Sequence, residues 1–354
     1  MPELNTFMLD SGAFSVWNSG AEIDLDVYIN FCKQHPGVSY YVCLDKIPGK
    51  PGTEVIRTPD VLNEAARVTW ENYQRMIQEL PIEKVIPVFH RGESFDWLAK
   101  YIEFGCPYVG FGQIGLGSKE TQKAYLREIS KHVLDSSGKL IVKTHGFAVT
   151  SFQLMNYMPW HSVDSASWLK QAAFGVVYIP FRDKDGKYLY DRNPFLLNTS
   201  PKSPSRDDHG IHMSTLTPTV RSAVLEYLDS IRAKVGKFEV LTVPSTYKKP
   251  QNELWFDSKK TQVIRTIEEG VVTSHQHRFR ANAAYIRQAN AVLDVNHIYF
   301  AGGEGSVDDR VEYRLVNRLM SYHKIGGSAK TQGYTAFLKW TTTMTEEAKA
   351  NGRI

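Results

Sequence analysis

The chain has 354 residues, 42% of them hydrophobic and 23% charged, with a formal net charge of +4, ordinary values for a globular protein able to form one large α/β domain or two smaller ones. No apolar run approaches the roughly 18 residues of a membrane span, and MPELNTFMLD lacks the basic and apolar regions of a secretory signal, so a soluble, cytosolic protein without a membrane partner is expected. Three widely spaced cysteines, Cys32, Cys43 and Cys106, argue against a disulfide framework and exclude a Cys-rich zinc cluster in the second half. They read as small buried hydrophobes.

Charge is uneven along the chain. Residues 1–200 hold 20 Lys and Arg against 22 Asp and Glu, whereas residues 201–354 hold 22 against 16. A basic second part suits a polyanionic partner, although solubility alone accounts for such a bias.

In chain order, short apolar runs end in polar or glycine residues: TFMLDSG, SYYVCLDK, KVIPVFHRG, YVGFGQ, KLIVKTHG and HSVDSAS. Stretches of helical spacing, such as VLNEAARVTWENYQRMIQEL and TQKAYLREISKHVL, separate most of them, which predicts βα units and a parallel sheet. Six strands with a polar residue at the carboxyl end predict a (β/α)8, TIM-like barrel, since that is where such a barrel holds its chemistry. KFEVLTVPS (237–245) and NHIYFAGG (296–303) are the candidates to complete it.

The expected organisation is one domain over 1–354. The strands with the chemistry occupy 1–175, an insertion 176–236, and a barrel-completing basic part 237–354. The insertion would hold VVYIPFRDKDGKYLY as a hairpin around Lys-Asp-Gly, then the Pro/Ser-rich NTSPKSPSRDDHG and a helix. A doubly wound open sheet is the alternative, because periodicity does not show closure.

Asp10 ends the first apolar run and Asp164 lies in VDSASW. A charge at the end of a buried strand is costly unless it is paired, hydrogen-bonded or open to a cleft. Two carboxylates at one mouth suit displacement at a sugar anomeric carbon, one attacking C1′ while the other handles protons. The plain alternative is that each Asp caps the helix that follows.

These segments resemble the queuine and archaeosine tRNA-guanine transglycosylases and the related phage and bacterial DNA 7-deazaguanine transglycosylases, the DpdA group. DSGAFS matches the family's DSGxFQ-like element, which would make Asp10 the general acid/base, and VDSASW matches the strand end FDSA or FDC, which would make Asp164 the nucleophile. CLDKIP resembles the base-recognition segment, so Asp45 would face the purine and accept its N1–H and N2–H together. IPVFHRGES puts His90 in the place of the purine-reading Gln, and FGQIGLGS puts Gln113 and Ile114 at the Gly-Gly-Leu loop that touches the base. KTHGF brings His145 to the penultimate strand of the series; His145 and His90 could each assist the base, or each be a satisfied structural residue. Phe14 and Trp168 each follow a proposed catalytic Asp by four residues, and Phe14 is the family's match for a side chain sandwiching the purine. Tyr40, Tyr41 and Phe89 read as core or wall.

The resemblance covers about residues 6–190. It implies exchange of guanine in a nucleic acid for a free 7-deazaguanine base of the preQ0 type, without a cofactor. The tRNA enzymes carry a zinc subdomain of Cys and His ligands that this chain cannot build, and DDHGIH (Asp207, Asp208, His209, His212) reads as a solvated loop before it reads as a metal site. The sequence also starts almost at the acid/base motif, so C-terminal strands would replace the two that precede it in the tRNA enzymes.

These departures favour DNA as the partner, with tRNA as the alternative. A non-catalytic nucleic-acid-binding barrel, or a glycoside hydrolase using the same two acids, remains open. Arg310, Arg314 and Arg318, then Arg278, Arg280 and Arg287 with Tyr285 among them, and Lys248, Lys249, Lys259 and Lys260 are candidates to neutralise phosphates and hold an unstacked base. A solvated helix face explains any one cluster equally well. AGGEGS (301–306) offers backbone N–H groups for a phosphate or a plain strand-to-helix turn.

Overall fold

The computed structural model describes residues 8–149, 151–203, 211–293 and 297–300. Its first part alternates as expected. Strands β1 (Met8–Leu9), β2 (Tyr40–Val42), β3 (Val85–Ile86), β4 (Val88–His90), β5 (Tyr108–Gly112), β6 (Lys143–Gly146) and β7 (Ser162–Ser165) are interleaved with α1 (Ala13–Asn18), α2 (Leu25–Gln34), α3 (Pro59–Ile77), α4 (Phe95–Glu103), α5 (Lys119–Val133) and α6 (Phe152–Met155). The helices form for local reasons. Asp24 caps α2 by accepting from Val27 N–H at 3.0 Å, and α3 has Pro59 in its first turn and buries Leu62, Ala65, Ala66, Thr69, Trp70, Tyr73 and Met76 along one stripe.

β1, β2 and β3 pair in parallel in that order, as do β4, β5, β6 and β7. The two sheets meet within VIPVFH, where Pro87 separates β3 from β4 because it has no N–H for the ladder.

The chain continues through α7 (Ser167–Ala173), β8 (Val176–Ile179), β9 (Phe181–Arg182), β10 (Tyr188–Leu189), β11 (Phe195–Asn198), α8 (Pro218–Ser230), β12 (Lys237–Thr242), β13 (Glu253–Trp255), β14 (Gln262–Glu268), α9 (His275–Asn290) and β15 (His297–Phe300). β9 and β10 form an antiparallel hairpin across the Lys-Asp-Gly turn, and β8 pairs antiparallel with β11. β15 extends the second parallel sheet beside β7, with Tyr299 opposite Asp164. The molecule is therefore a mixed α/β protein built on parallel sheets. Among the described residues, β1 and β15 each pair on one side only.

Residues 237–245 do not complete a barrel. β12 joins β14 and β13 in a separate antiparallel sheet, ordered β12-β14-β13, which forms an arm. No position of KFEVLT is fully buried, and its apolar residues Phe238 and Val240 are exposed. At the arm's root Gly236 and Gly270 lie so close that a Cβ on Gly270 would stand 2.2 Å from the Gly236 nitrogen.

Two apolar cores lie beneath these elements. The larger joins the parallel strands, through Tyr41, Val85, Phe89, Val109, Phe111 and Val163, to α2, α3, α4 and α5; the smaller gathers Val177, Ile179 and Leu197 of β8 and β11 with Val224, Tyr227 and Leu228 of α8. Helix α9 contributes to both. Asn282 is wholly buried there, accepting from Tyr178 N–H at 2.7 Å and donating to the carbonyls of Trp168 at 3.1 Å and Val176 at 3.2 Å.

Candidate functional site: a carboxylate cluster at the strand ends

Parallel pairing brings the carboxyl ends of neighbouring strands to one edge of the sheet. Asp10 follows β1, Asp45 follows β2, His90 ends β4, Gln113 follows β5, and His145 and Asp164 lie in β6 and β7.

Neither end-strand acid caps a helix. The residue preceding α1 is Gly12, in a left-handed conformation at φ 71°, and the residue preceding α7 is Ala166. Asp10 is open to water, yet protein crowds it from its other sides. Burial, reinforced by the negative charges of Asp45 and Asp164, raises its pKa from 3.8 to about 7, against the opposing pull of hydrogen bonds from the backbone N–H groups of Gly12 and Ser11. The electrostatic coupling puts the three acids in one neighbourhood, and it leaves Asp10 poised to take up and release a proton near neutral pH.

Asp164 is held by the backbone and has a histidine nearby. Ala148 N–H donates to its Oδ1 at 2.6 Å, from a residue at φ 54°, and His145 Nε2 lies 3.5 Å from the same oxygen. His145 is fully buried, with Nδ1 2.6 Å from Ser162 Oγ, and Ser162 in turn meets the Tyr108 hydroxyl.

The Asp45 carboxylate is braced as well. Its Oδ2 is 2.9 Å from His90 Nε2 and its Oδ1 accepts from Ser11 Oγ at 3.4 Å, while His90 Nδ1 is 3.0 Å from Glu93 Oε1. Both ring nitrogens of His90 are thus committed to carboxylates, which corrects the expectation that His90 reads the purine. Glycines in YVGFGQ serve packing here: a Cβ on Gly112 would stand 2.9 Å from His90 Cδ2, and one on Gly110 would stand 2.4 Å from the Phe147 ring.

Gln113, at φ 61°, accepts from Arg57 Nη1 at 2.6 Å, and Ile114 is wholly buried behind it. Phe14 is 55% exposed in the first turn of α1, whereas Trp168 lies in the core against Phe279. Of the two aromatics proposed to stack on a base, only Phe14 is accessible.

Among the basic candidates, Lys248, Lys259, Lys260, Arg280 and Arg287 are exposed. Lys249 is turned back onto the carbonyls of Pro250 and Glu253, at 2.9 and 2.6 Å. Arg278 does not face a partner. It is 6% exposed, its Nε donates to Ala172 O at 2.7 Å and its Nη1 to Val271 O at 2.8 Å, and burial lowers its pKa to about 10. Tyr285 is likewise buried, donating to Arg192 O at 2.7 Å, so it is no platform for a base. His212 has Nδ1 2.6 Å from Ser214 Oγ and Nε2 3.1 Å from Ser200 O. Asp207, Asp208, His209, Arg310, Arg314, Arg318 and residues 301–306 lie outside the described residues.

Sequence reasoning missed Ser11, Glu93, Ala148 and Ser162. Two of these had a signal: Ser162 is two residues before Asp164 and so shares its strand face, and Glu93 stands three after His90 in HRGES.

What the fold and the site define is an α/β protein with a cluster of acids at the carboxyl ends of parallel strands. No protein-family model matches the chain, and no curated protein matches its sequence. Among the described residues no helix is long and apolar enough to cross a membrane, and no three His, Cys, Asp or Glu side chains group to hold a metal ion.

Proposed function

We propose that the protein is a nucleic-acid guanine transglycosylase acting on DNA, with its parallel strands belonging to a (β/α)8-like barrel. The observation that carries this reading is the gathering of Asp10, Asp45 and Asp164 at the strand ends, close enough that the charges of Asp45 and Asp164 help to raise the pKa of Asp10. In the proposed reaction the Asp164 carboxylate attacks C1′ and forms a sugar ester as the C1′–N9 bond breaks. Asp10 protonates the departing guanine at N9. An incoming 7-deazaguanine, of the preQ0 type, then gives its N9 proton to Asp10, and N9 attacks C1′ to release Asp164. Two displacements retain anomeric configuration.

Asp45 accepts the N1–H and N2–H of the base through lone pairs that His90 and Ser11 leave unused. Phe14 covers one face of the purine, and Lys248, Lys259, Lys260, Arg280 and Arg287 neutralise phosphates. In a duplex the target nucleotide is extruded before attack.

The test is incorporation of radiolabelled guanine into duplex DNA and into tRNA, side by side, by the wild-type chain and Asp164→Asn. Label enters DNA, and the substitution reduces the rate by at least about a thousandfold, the scale at which loss of a covalent nucleophile registers. Label in tRNA alone moves the activity to that substrate. Equal rates for the two chains remove Asp164 from its role, and label in neither polymer favours a binding barrel without catalysis.

A further inference from the structure

We propose that Glu93 is a positioning residue for base recognition, acting through His90 to fix the Asp45 carboxylate in the orientation that presents its free lone pairs to a purine edge. This rests on the reading of Asp45 as the acid that faces the purine. His90 is buried between Glu93 Oε1 at 3.0 Å and Asp45 Oδ2 at 2.9 Å. Both partners are carboxylates, so both contacts are hydrogen bonds only when the ring carries a proton on each nitrogen. Burial works against that charged form, but the hydrogen bonds and charges of Asp45 and Glu93 outweigh it and raise the pKa of His90 to about 10. Asp45 and Glu93 are thereby joined by a shared cation.

The surroundings of Glu93 give its charge no other use. It is 5% exposed, and its second oxygen, Oε2, meets no donor among the described residues. Tyr101 of α4 and Tyr125 of α5 lie near it, with the Arg91 guanidinium 5.4 Å from the centre of the Tyr125 ring, and Asp10 and Cys43 face the Asp45 end. His90 is the one cation in hydrogen-bonding contact with either carboxylate among the described residues. A neutral partner at position 93 leaves His90 with a single anionic neighbour. The ring then loses its second proton at a lower pH, and with it one of the two bonds that orient Asp45.

The experiment measures binding of radiolabelled guanine to the full chain by equilibrium dialysis from pH 6 to 9, for wild type and Glu93→Gln. Nitrogen-15 imidazole spectra of the same samples report the protonation of His90. Wild type shows both His90 nitrogens protonated at pH 8, and the pH dependence that Asp10 lends to binding is common to both chains, so the comparison is the ratio of the two affinities at each pH. Glu93→Gln, which keeps the size and an acceptor oxygen, binds about tenfold more weakly at pH 8, the scale of one charge-assisted hydrogen bond, and regains affinity toward pH 6. A loss that is uniform across pH indicates a merely structural role and overturns the proposal, as does unchanged binding by the variant. A wild-type His90 that is neutral at pH 8 overturns it without reference to any variant, which keeps the test decisive if Glu93→Gln does not fold. Wild type that binds no guanine although His90 is doubly protonated overturns the purine-facing reading of Asp45, and this proposal with it.

Discussion

Replacing Asp10 with Asn removes a charge that folding holds in an unfavourable place. Its acid is raised from 3.8 to about 7 by burial and by Asp45 and Asp164, so the folded chain binds this proton more tightly than the unfolded chain does. Stability therefore falls as pH rises from 3.8 to about 7, and the full penalty persists above that. At ~1.4 kcal/mol per pH unit the shift would amount to about 4 kcal/mol. Water reaches the carboxyl, however, and screening reduces the figure to about 1–2 kcal/mol. Asp10→Asn is accordingly expected to raise the melting temperature by roughly 1–3 °C at pH 8, with the difference closing toward pH 4. Thermal unfolding followed by circular dichroism across that range measures it. A variant less stable than wild type at pH 8, or a difference that does not shrink on acidification, refutes the electrostatic account of the cluster.

Three other outcomes follow from the same contacts. Arg278→Met deletes both bonds to backbone carbonyls and costs about 2–4 kcal/mol in urea unfolding, whereas Arg280→Met and Arg287→Met stay within about 0.5 kcal/mol. Gly112→Ala drives a methyl toward His90, lowers stability by about 1–3 kcal/mol, and weakens guanine binding in the dialysis assay. Phe14→Ala, at an exposed position, changes stability by less than about 0.5 kcal/mol but weakens guanine binding about tenfold, within the range of one base–aromatic stack. Unaltered binding there removes Phe14 from the site.

The alternation of strands and helices was legible because apolar runs and 3.6-residue stripes differ over windows as long as α3 and α5. So was the approximate site, since polar residues ending successive parallel strands share an edge whatever their side chains do. The pairing of KFEVLT was misread although a cue existed: its charged and apolar residues alternate, where strands of a parallel sheet covered on both faces are continuously apolar. Arg278 was misread in the same way. It lies on the stripe of Ala281, Asn282, Tyr285, Ile286 and Ala289 that α9 buries, so its spacing pointed inward while its charge suggested solvent. The brace on His90 was not readable in advance, because which group takes each ring nitrogen depends on side-chain directions that spacing does not fix.

The near-contact of Gly236 with Gly270 means that the chain departs for the arm and returns through a single narrow gate. Beyond it the arm supplies its own packing, with Tyr247 against Trp255 and Glu253 tied to Arg265. A segment with that geometry has the form of a cassette, and excising it by splicing the two glycines is expected to leave the acid cluster in place. Any side chain at either glycine, by contrast, wedges the gate apart and loosens the whole appendage at once.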